Sequence, residues 1–570
     1  MKEYQLRSLP VSAAFDELVA ILGSPALAAV YWAKGLQNKK QISEFTNSFD
    51  LLPADELHDL VSFGKLFLRH YQSAQKKIVV YGDYDADGAV AATILWRFLY
   101  RILGITDATV YIPDRREEGY GLNKEALLQL AQKGTSLVIT VDCGVRDSDL
   151  IAEVTEKTGM EIVVTDHHQP SDNFPHCVSV HPLYPAHESK NRFTSGGVVA
   201  WKVVRYLEDL LHKSHEFSDS VVDLVGLSLI TDIMPLVGEN RSILKRALQK
   251  AKTNPSLGLR VLMEQAQIRQ DEVSPYHFGY MIGPRLNASG RIGDHYLSTK
   301  LLSTDSPDAA KEYARQVSEI NEQRQQMTQD LLERADAEKL IIENKVQIAA
   351  GFDWEEGIVG LVAGKLMNKH DLPTIVVSKN QEKQSAKGSA RSFGELNITA
   401  LFEQIASVFT RFGGHHSAAG FTLKDGSEQP LISALRSILH SNYESYVPKA
   451  VRTIDAYISP DILTETFFEG LGALEPFGPE NAEPLFAVGG KVEQFGTIGK
   501  QNNHIKLELA TEKGAITVLL FGRLDLLKEL DQGKEVIVVG KPKREEFRGA
   551  MQITLIGETI LPAEWDLVKA

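Results

Sequence analysis

KKIVVYGDYDADGAVAATILWRFLYRIL, residues 76–103, holds the reading that decides the fold. KKIVVY (76–81) is short, apolar and β-branched, which predicts a buried strand. AVAATILWRFLYRIL (89–103) predicts the helix that follows. Between them YGDYDADG (81–88) puts Asp83, Asp85 and Asp87 in one tight turn. Three carboxylates so close repel one another, and a hard divalent cation is the natural compensating charge. A solvated acidic turn or helix-cap cluster is the plainer alternative. A calcium loop is another, but AVAATILW after Gly88 lacks the glutamate such a loop needs.

Outward from this turn the pattern repeats. ATVYIP (108–113), SLVITV (136–141) and EIVVT (161–165) read as further short strands, and LNKEALLQLAQKG (122–134) as a helix between them. Alternation of this kind predicts a parallel, doubly wound sheet. Asp142 ends the strand at 136–141, and Asp166, His167 and His168 end the strand at 161–165. In an open parallel sheet those ends share one edge, where ligands bind. Residues far apart in sequence are therefore expected to meet there as a metal site. Asp232, in GLSLITDIMPL (226–236), ends an apolar helix-like run and reads equally well as a ligand or as a cap. Carboxylates with imidazole suit Mn²⁺ or Mg²⁺, and the mixed set leans toward Mn²⁺. Two such ions, about 4 Å apart, can serve hydrolysis of a phosphodiester. The sequence has no G-x-x-x-x-G-K-[ST] loop, which argues against ATP hydrolysis.

Five regions are expected: a mostly helical segment at 1–72, the sheet domain at 73–304, a connecting helix at 305–345, a second α/β domain at 346–447 and a β-rich region at 448–570. In the connecting helix Val317, Ile320, Met327 and Leu331 keep an a/d-like spacing, with Arg324 interrupting it. Five strand-like runs between 488 and 558 suggest a small OB-like barrel. Near its end Lys541, Lys543, Arg544, Phe547 and Arg548 cluster on one hairpin, a composition suited to a nucleic-acid backbone with base stacking, or to a solvated turn.

The chain of 570 residues is too long for one hydrophobic core. Its net charge of −14 gives no global basic footprint, so any nucleic-acid groove must be local. Cys143 and Cys177 are the only cysteines, which fits a reducing compartment and argues against a disulfide scaffold or a cysteine-based zinc site. No apolar run of about 18 residues suggests a membrane span. The start, MKEYQLRSLPVSAAFDELVA, lacks a secretory pattern, so a cytoplasmic location is expected.

YGDYDADG, VDCG, TDHHQP and TDIMPL together resemble the four motifs of the DHH phosphoesterases, in the form taken by the RecJ exonucleases. GPRLNASGR (283–291), WEEGIVGLVAGKL (354–366), GSARS (388–392), RFGGHHSAAGF (411–421) and LEPFGPENAEPLF (474–486) continue the resemblance in the same order. It implies an α/β fold in which a DHH parallel-sheet domain is joined by a long helix to a DHH-associated α/β domain, with a C-terminal OB-like β-barrel. It implies two metal ions held by Asp83, Asp85, Asp142, His167 and Asp232, with Asp142 bridging. Many relatives carry a histidine where this chain has Val79, and Asp87 is placed to assist in its stead. His168 would contact the scissile phosphate or orient the ligands. Arg285, Asn287, Ser389, Arg391 and His415 would grip the DNA, and Lys541 and Arg544 would track it.

The implied activity is 5′-to-3′ hydrolysis of single-stranded DNA to 5′-mononucleotides, in recombination, mismatch repair and base-excision repair. Single-stranded-DNA-binding protein and a RecQ-type helicase are the implied partners, with no membrane, and a monomer is expected. Two rival readings remain. A small-substrate DHH phosphodiesterase, of nanoRNase or cyclic-dinucleotide type, generally lacks the barrel. A catalytically silent DNA-binding scaffold would have eroded motifs, whereas here every acidic and histidine position is intact.

Overall fold

The computed structural model describes residues 2–48, 50–73, 77–115, 117–185, 187–382, 384–424, 427–499, 501–512, 514–547, 550–563 and 565. These form two compact units, one of residues 49–448 with 478–480, the other of residues 1–48, 449–477 and 481–570.

The larger unit begins with a five-stranded parallel sheet. Its order is Thr109–Tyr111, Ile78–Tyr81, Leu137–Thr140, Glu161–Thr165 and Ser179–Val180. Ile78–Tyr81 and Leu137–Thr140 are buried along their whole length, as strands covered on both faces must be. The helices Ala86–Arg97, Gly196–Leu210 and Val222–Thr231 supply one large core with them. The last strand, of two residues, has no recognisable period in the sequence.

A 32-residue helix, Pro307–Glu338, leads to the second sheet. It buries Ala310, Ala314, Val317, Asn321, Thr328, Leu331 and Ala335, a seam with heptad spacing. The expected a/d pattern holds at Val317 and Leu331, with Ile320 packed against the core, and is corrected at Met327, which is 37% exposed while Thr328 is buried. Arg324 occupies the seam position between Asn321 and Thr328, and its Nη2 donates to Asn321 Oδ1 at 2.9 Å. The second sheet has six strands in the order Phe409–His415, Ala418–Leu423, Ser385–Arg391, Thr374–Asn380, Val346–Phe352 and Leu340–Ile342. Only the Val346–Phe352 and Thr374–Asn380 pair is parallel.

In the smaller unit Lys2–Leu6 pairs in parallel with Ala450–Ile454. The helices Ala13–Leu22 and Pro25–Ala33 share a core with the β-rich region. Tyr31 donates to the Gly470 carbonyl at 2.8 Å, and Lys34 to Asn481 Oδ1 at 2.7 Å. Five strands, Phe486–Ile498, His504–Thr511, Gly514–Phe521, Ala550–Pro562 and Glu535–Phe547, pair in that order. Phe486 then faces Gly540, which closes the barrel. Among the described residues no single helix is long and apolar enough to cross a membrane.

Candidate metal centre

The floor of the site lies past the carboxyl ends of the parallel strands. After Ile78–Tyr81 the chain turns through Asp83 and Asp85, and Asp85 caps the next helix by accepting from the Gly88 N–H at 2.9 Å. Asn287 Oδ1 accepts from the Ala86 N–H at 2.7 Å and pins the same turn from outside. Gly290 is required there, because a Cβ on it would stand 2.3 Å from the Tyr84 carbonyl oxygen. Asp142 follows Leu137–Thr140 with a φ of +63°, a left-handed conformation held by its N–H bond to the Thr165 carbonyl at 3.0 Å.

Eight of the residues expected at this edge come together here, in groups that share members. Asp87, His167 and Asp232 form one set and Asp83, Asp85 and Asp142 another. Asp142 also joins Asp166, His167 and His168. His167 Nε2 lies 3.0 Å from Asp142 Oδ1, 3.4 Å from Asp232 Oδ2 and 3.6 Å from Asp87 Oδ2. Among the described residues, Asp83 Oδ1, Asp142 Oδ1, His167 Nε2 and Asp232 Oδ2 are buried with no hydrogen-bond partner. Groups of this polarity are not left so without compensation. The spacings are those of neighbouring ligands on a small cation with bonds of about 2.1 Å, so the donor set fits a hard divalent metal.

The electrostatics agree. Burial, and then the neighbouring carboxylates, push Asp142 and Asp232 well above the usual range. Burial holds the His167 imidazole down to about 3, so it presents a lone pair. Asp87 is raised to about 6 by burial and Asp85, against hydrogen bonds from Ser228 and the helix start. Its Oδ1 accepts from Ser228 Oγ at 2.6 Å and the Gly197 N–H at 2.9 Å, and its Oδ2 from the Gly196 N–H at 2.7 Å. Helix Gly196–Leu210 thus offers its positive end to the cluster. A Cβ on Gly196 would stand 2.6 Å from Asp142 Oδ1, so only glycine fits.

His168 differs from His167. Its Nδ1 bonds Asp166 Oδ1 at 2.8 Å and lies 3.1 Å from the Tyr120 hydroxyl. Burial opposes charge, but Asp166 prevails and raises the imidazole to about 9. Asp166 also accepts from the His167, His168 and Val145 N–H groups, which commits both its oxygens to holding the loop.

Beside this floor a cavity of about 850 Å³ opens between the two sheets of the larger unit, lined by Tyr84, Arg115, Tyr120 and Arg291 from one side and Lys387, Arg411 and Phe412 from the other. Arg115 lies over the Tyr84 ring at 5.3 Å. Arg291 donates to the Gly357 carbonyl at 3.1 Å. Burial, then Arg115 and Arg324, lower its guanidinium to about 10. Burial and then Arg115 also lower that of Arg391. Clustered guanidinium groups of this kind suit phosphate oxygens.

The residues expected to grip DNA are placed less uniformly. Arg391 Nη1 donates to Ser389 Oγ at 2.7 Å, so these two act as a pair. Arg285 Nη1 donates to the Met281 carbonyl at 2.7 Å. Asn287 has its oxygen committed to the aspartate turn. His415 is exposed at the end of an edge strand, its Nδ1 accepting from the Ser417 N–H at 3.3 Å. Lys541 and Arg544 lie in the smaller unit, where Lys541 and Lys543 both pair with Glu483, and Arg544 pairs with Glu465 at 2.9 Å. Arg548 and the side chain of Phe547 lie outside the described residues. Sequence reasoning missed Arg115, Tyr120, Lys387 and Arg411. Arg115 follows the strand Thr109–Tyr111 at the same sheet edge, and that position was the available signal.

Comparison with known proteins fits this geometry. Residues 77–228 match the DHH family, N-terminal domain, residues 343–441 the DHHA1 domain and residues 454–558 the RecJ OB domain. The single-stranded-DNA-specific exonuclease RecJ of Bacillus subtilis is 31% identical over 501 residues, 87% of this chain and 62% of that protein. RecJ of Thermus thermophilus is 30% identical over 514 residues, 89% of this chain and 72% of that protein. This chain therefore spans less than two thirds of the Bacillus relative. The crystal structure of the Thermus protein with Mn²⁺ superposes with a TM-score of 0.83 at 26% identity, covering 98% of this chain and 79% of that one. Its Mg²⁺ complex gives 0.77 at 25% identity, covering 98% and 78%.

Proposed function

The chain belongs to the RecJ family, and on that premise we propose that it is a divalent-metal-dependent exonuclease that enters single-stranded DNA at the 5′ end and releases 5′-mononucleotides. The observation that carries this reading is the convergence of four buried, unpartnered ligand atoms from Asp83, Asp142, His167 and Asp232. Asp87, His167 and Asp232 would hold one Mn²⁺ or Mg²⁺ ion and Asp83 and Asp85 a second, with Asp142 shared. When bound, the ions supply Lewis-acid charge at the phosphate and favour ionisation of the attacking water.

The chain's own residues do the rest. His168, held as a cation by Asp166, faces the phosphate and offsets the charge that develops as the P–O3′ bond breaks. Arg115 and Arg291, which line the cavity, receive phosphate oxygens, and the Ser389–Arg391 pair, near enough to Arg115 to feel its charge, adds a further contact. Asp83, Asp87 and Asp142 are 4%, 2% and 1% exposed, and the strand preference itself rests on the relatives, which are named single-stranded-DNA-specific exonucleases. Single-stranded-DNA-binding protein and a RecQ-type helicase, which expose and guard such strands, are the proposed partners, and the cytoplasm the proposed location.

The test supplies Mn²⁺ and a 5′-phosphorylated, unstructured strand and follows release of mononucleotides. Equal or faster attack on a blunt duplex rejects the strand preference. Asp85→Ala with normal turnover rejects the site.

A further inference from the structure

The Asp232 edge of the acidic floor carries an apolar fringe that no role given above uses. Ile233, Tyr276 and Tyr280 are 71%, 61% and 75% exposed, and Phe193 is 57% exposed. Local structure ties each of them to the segment 230–235. Ile233 directly follows Asp232, with a φ of +59°, an outlying conformation for a β-branched residue. The Phe193 and Pro235 carbonyls both accept from Asn240 Nδ2, at 2.7 and 3.0 Å, which ties the Phe193 segment to the same loop. The π-helical turn His277–Ile282 lies against the end of Val222–Thr231. A Cβ on Gly279 would stand 3.2 Å from Ile230 Cγ2, and one on Gly283 would stand 2.6 Å from Thr231 Cγ2. On that turn the Tyr276 and Tyr280 rings are stacked, with centroids 5.1 Å apart and planes 24° from parallel.

The two stacked rings are left in water at the end of the helix that carries Asp232. Flat aromatic faces are what successive unpaired bases stack on, and tyrosine loses little side-chain freedom in doing so. The guanidinium of Arg285 folds back along the same turn to Met281 and supplies a cation for the backbone between bases. We propose that Tyr276 and Tyr280 form a base-stacking platform for single-stranded DNA at the Asp232 edge of the centre. This rests on the exonuclease reading, and it adds a contact to the bases where the cavity residues contact phosphates.

The experiment measures binding of a fluorescein-labelled 20-mer of oligodeoxythymidylate, and of a 20-mer with abasic sites after its second nucleotide, to the full chain in EDTA. Mn²⁺-dependent kcat/KM is then measured on the 20-mer and on a 5′-phosphorylated dinucleotide. Tyr276→Ala/Tyr280→Ala is expected to weaken the thymidylate about tenfold or more and to abolish the preference over the abasic strand. Its loss of kcat/KM is expected to be larger on the 20-mer than on the dinucleotide. Tyr276→Phe/Tyr280→Phe, which keeps both rings, is expected to bind as the parent does. If the parent binds and degrades strands but the alanine variant keeps its base preference, the platform is overturned and the exonuclease reading stands. A fringe that docks another protein gives that same result. If the parent neither binds the 20-mer nor releases mononucleotides, the exonuclease reading itself falls, and the platform with it.

Discussion

Asp142 belongs to the set with Asp83 and Asp85 and also joins Asp166, His167 and His168, so one substitution there tests both groups. Asp142→Asn keeps the size and removes the charge. Turnover with Mn²⁺ is expected to fall about 1000-fold or more, in line with the several kcal/mol a bound metal contributes. Steady-state rates on a short single strand check it, and a fall under tenfold would place the ions elsewhere. Gly196→Ala tests the same spot without touching a ligand. Its Cβ would stand 2.6 Å from Asp142 Oδ1, so either the carboxylate or the helix start that holds Asp87 must move. Calorimetry is expected to show Mn²⁺ binding weakened about 10–100-fold, as for other residues that orient metal ligands. At this scale the sequence was legible where a residue type states its chemistry. Asp83, Asp85, Asp142 and His167 could be picked because their strands end at one edge. Asp232 stayed ambiguous because a carboxylate after a helix also reads as a cap. Ser228 and Gly196 were not legible, since their roles exist only once Asp87 is brought between two helices.

Between elements, the end of Pro307–Glu338 is fastened to the end of Glu356–His370 by one carboxylate. Asp336 pairs with Lys339 at 2.9 Å, Lys369 at 2.8 Å and His370 at 2.5 Å. Hydrogen bonds from Lys339 first, then Lys369, hold its carboxyl well below the usual range. A carboxyl lowered on folding adds stability above its unfolded value, about 3.9, and loses it as pH falls further toward the folded value. The parent chain is therefore expected to resist urea better than Asp336→Asn at pH 6, with the gap narrowing below about pH 4. A gap that is constant with pH would show that the ion pairs do not carry the effect. The helix was legible from its length and charge, and so was its seam at Val317, Arg324 and Leu331, but the seam at Thr328 was not. Met327 is more apolar than Thr328, yet Thr328 is buried in the seam, because the preceding seam positions fix which side faces inward.

For the whole molecule, the centre lies wholly within residues 49–448, so metal should act on one unit only. With Mn²⁺ at about a hundred times its Kd, that unit is expected to gain about 2.7 kcal/mol, and its calorimetric transition to rise while the barrel's stays in place. Equal movement of both transitions would contradict a centre confined to the larger unit. The two sheets and the barrel could be read from strand spacing. The partnership of Lys2–Leu6 with Ala450–Ile454 could not, because nothing local to residues 2–6 records a mate so distant in the chain.

That distant pairing sets an order of events at the ribosome. The first 48 residues emerge well before the strands they join, since residues 49–448 are translated in between. At about 5–20 residues per second the opening helices wait roughly 20–80 s with Leu27 and the rest of their apolar face uncovered. During that interval the metal-binding unit can finish folding, while the leading segment keeps that apolar face in water until its distant mates arrive.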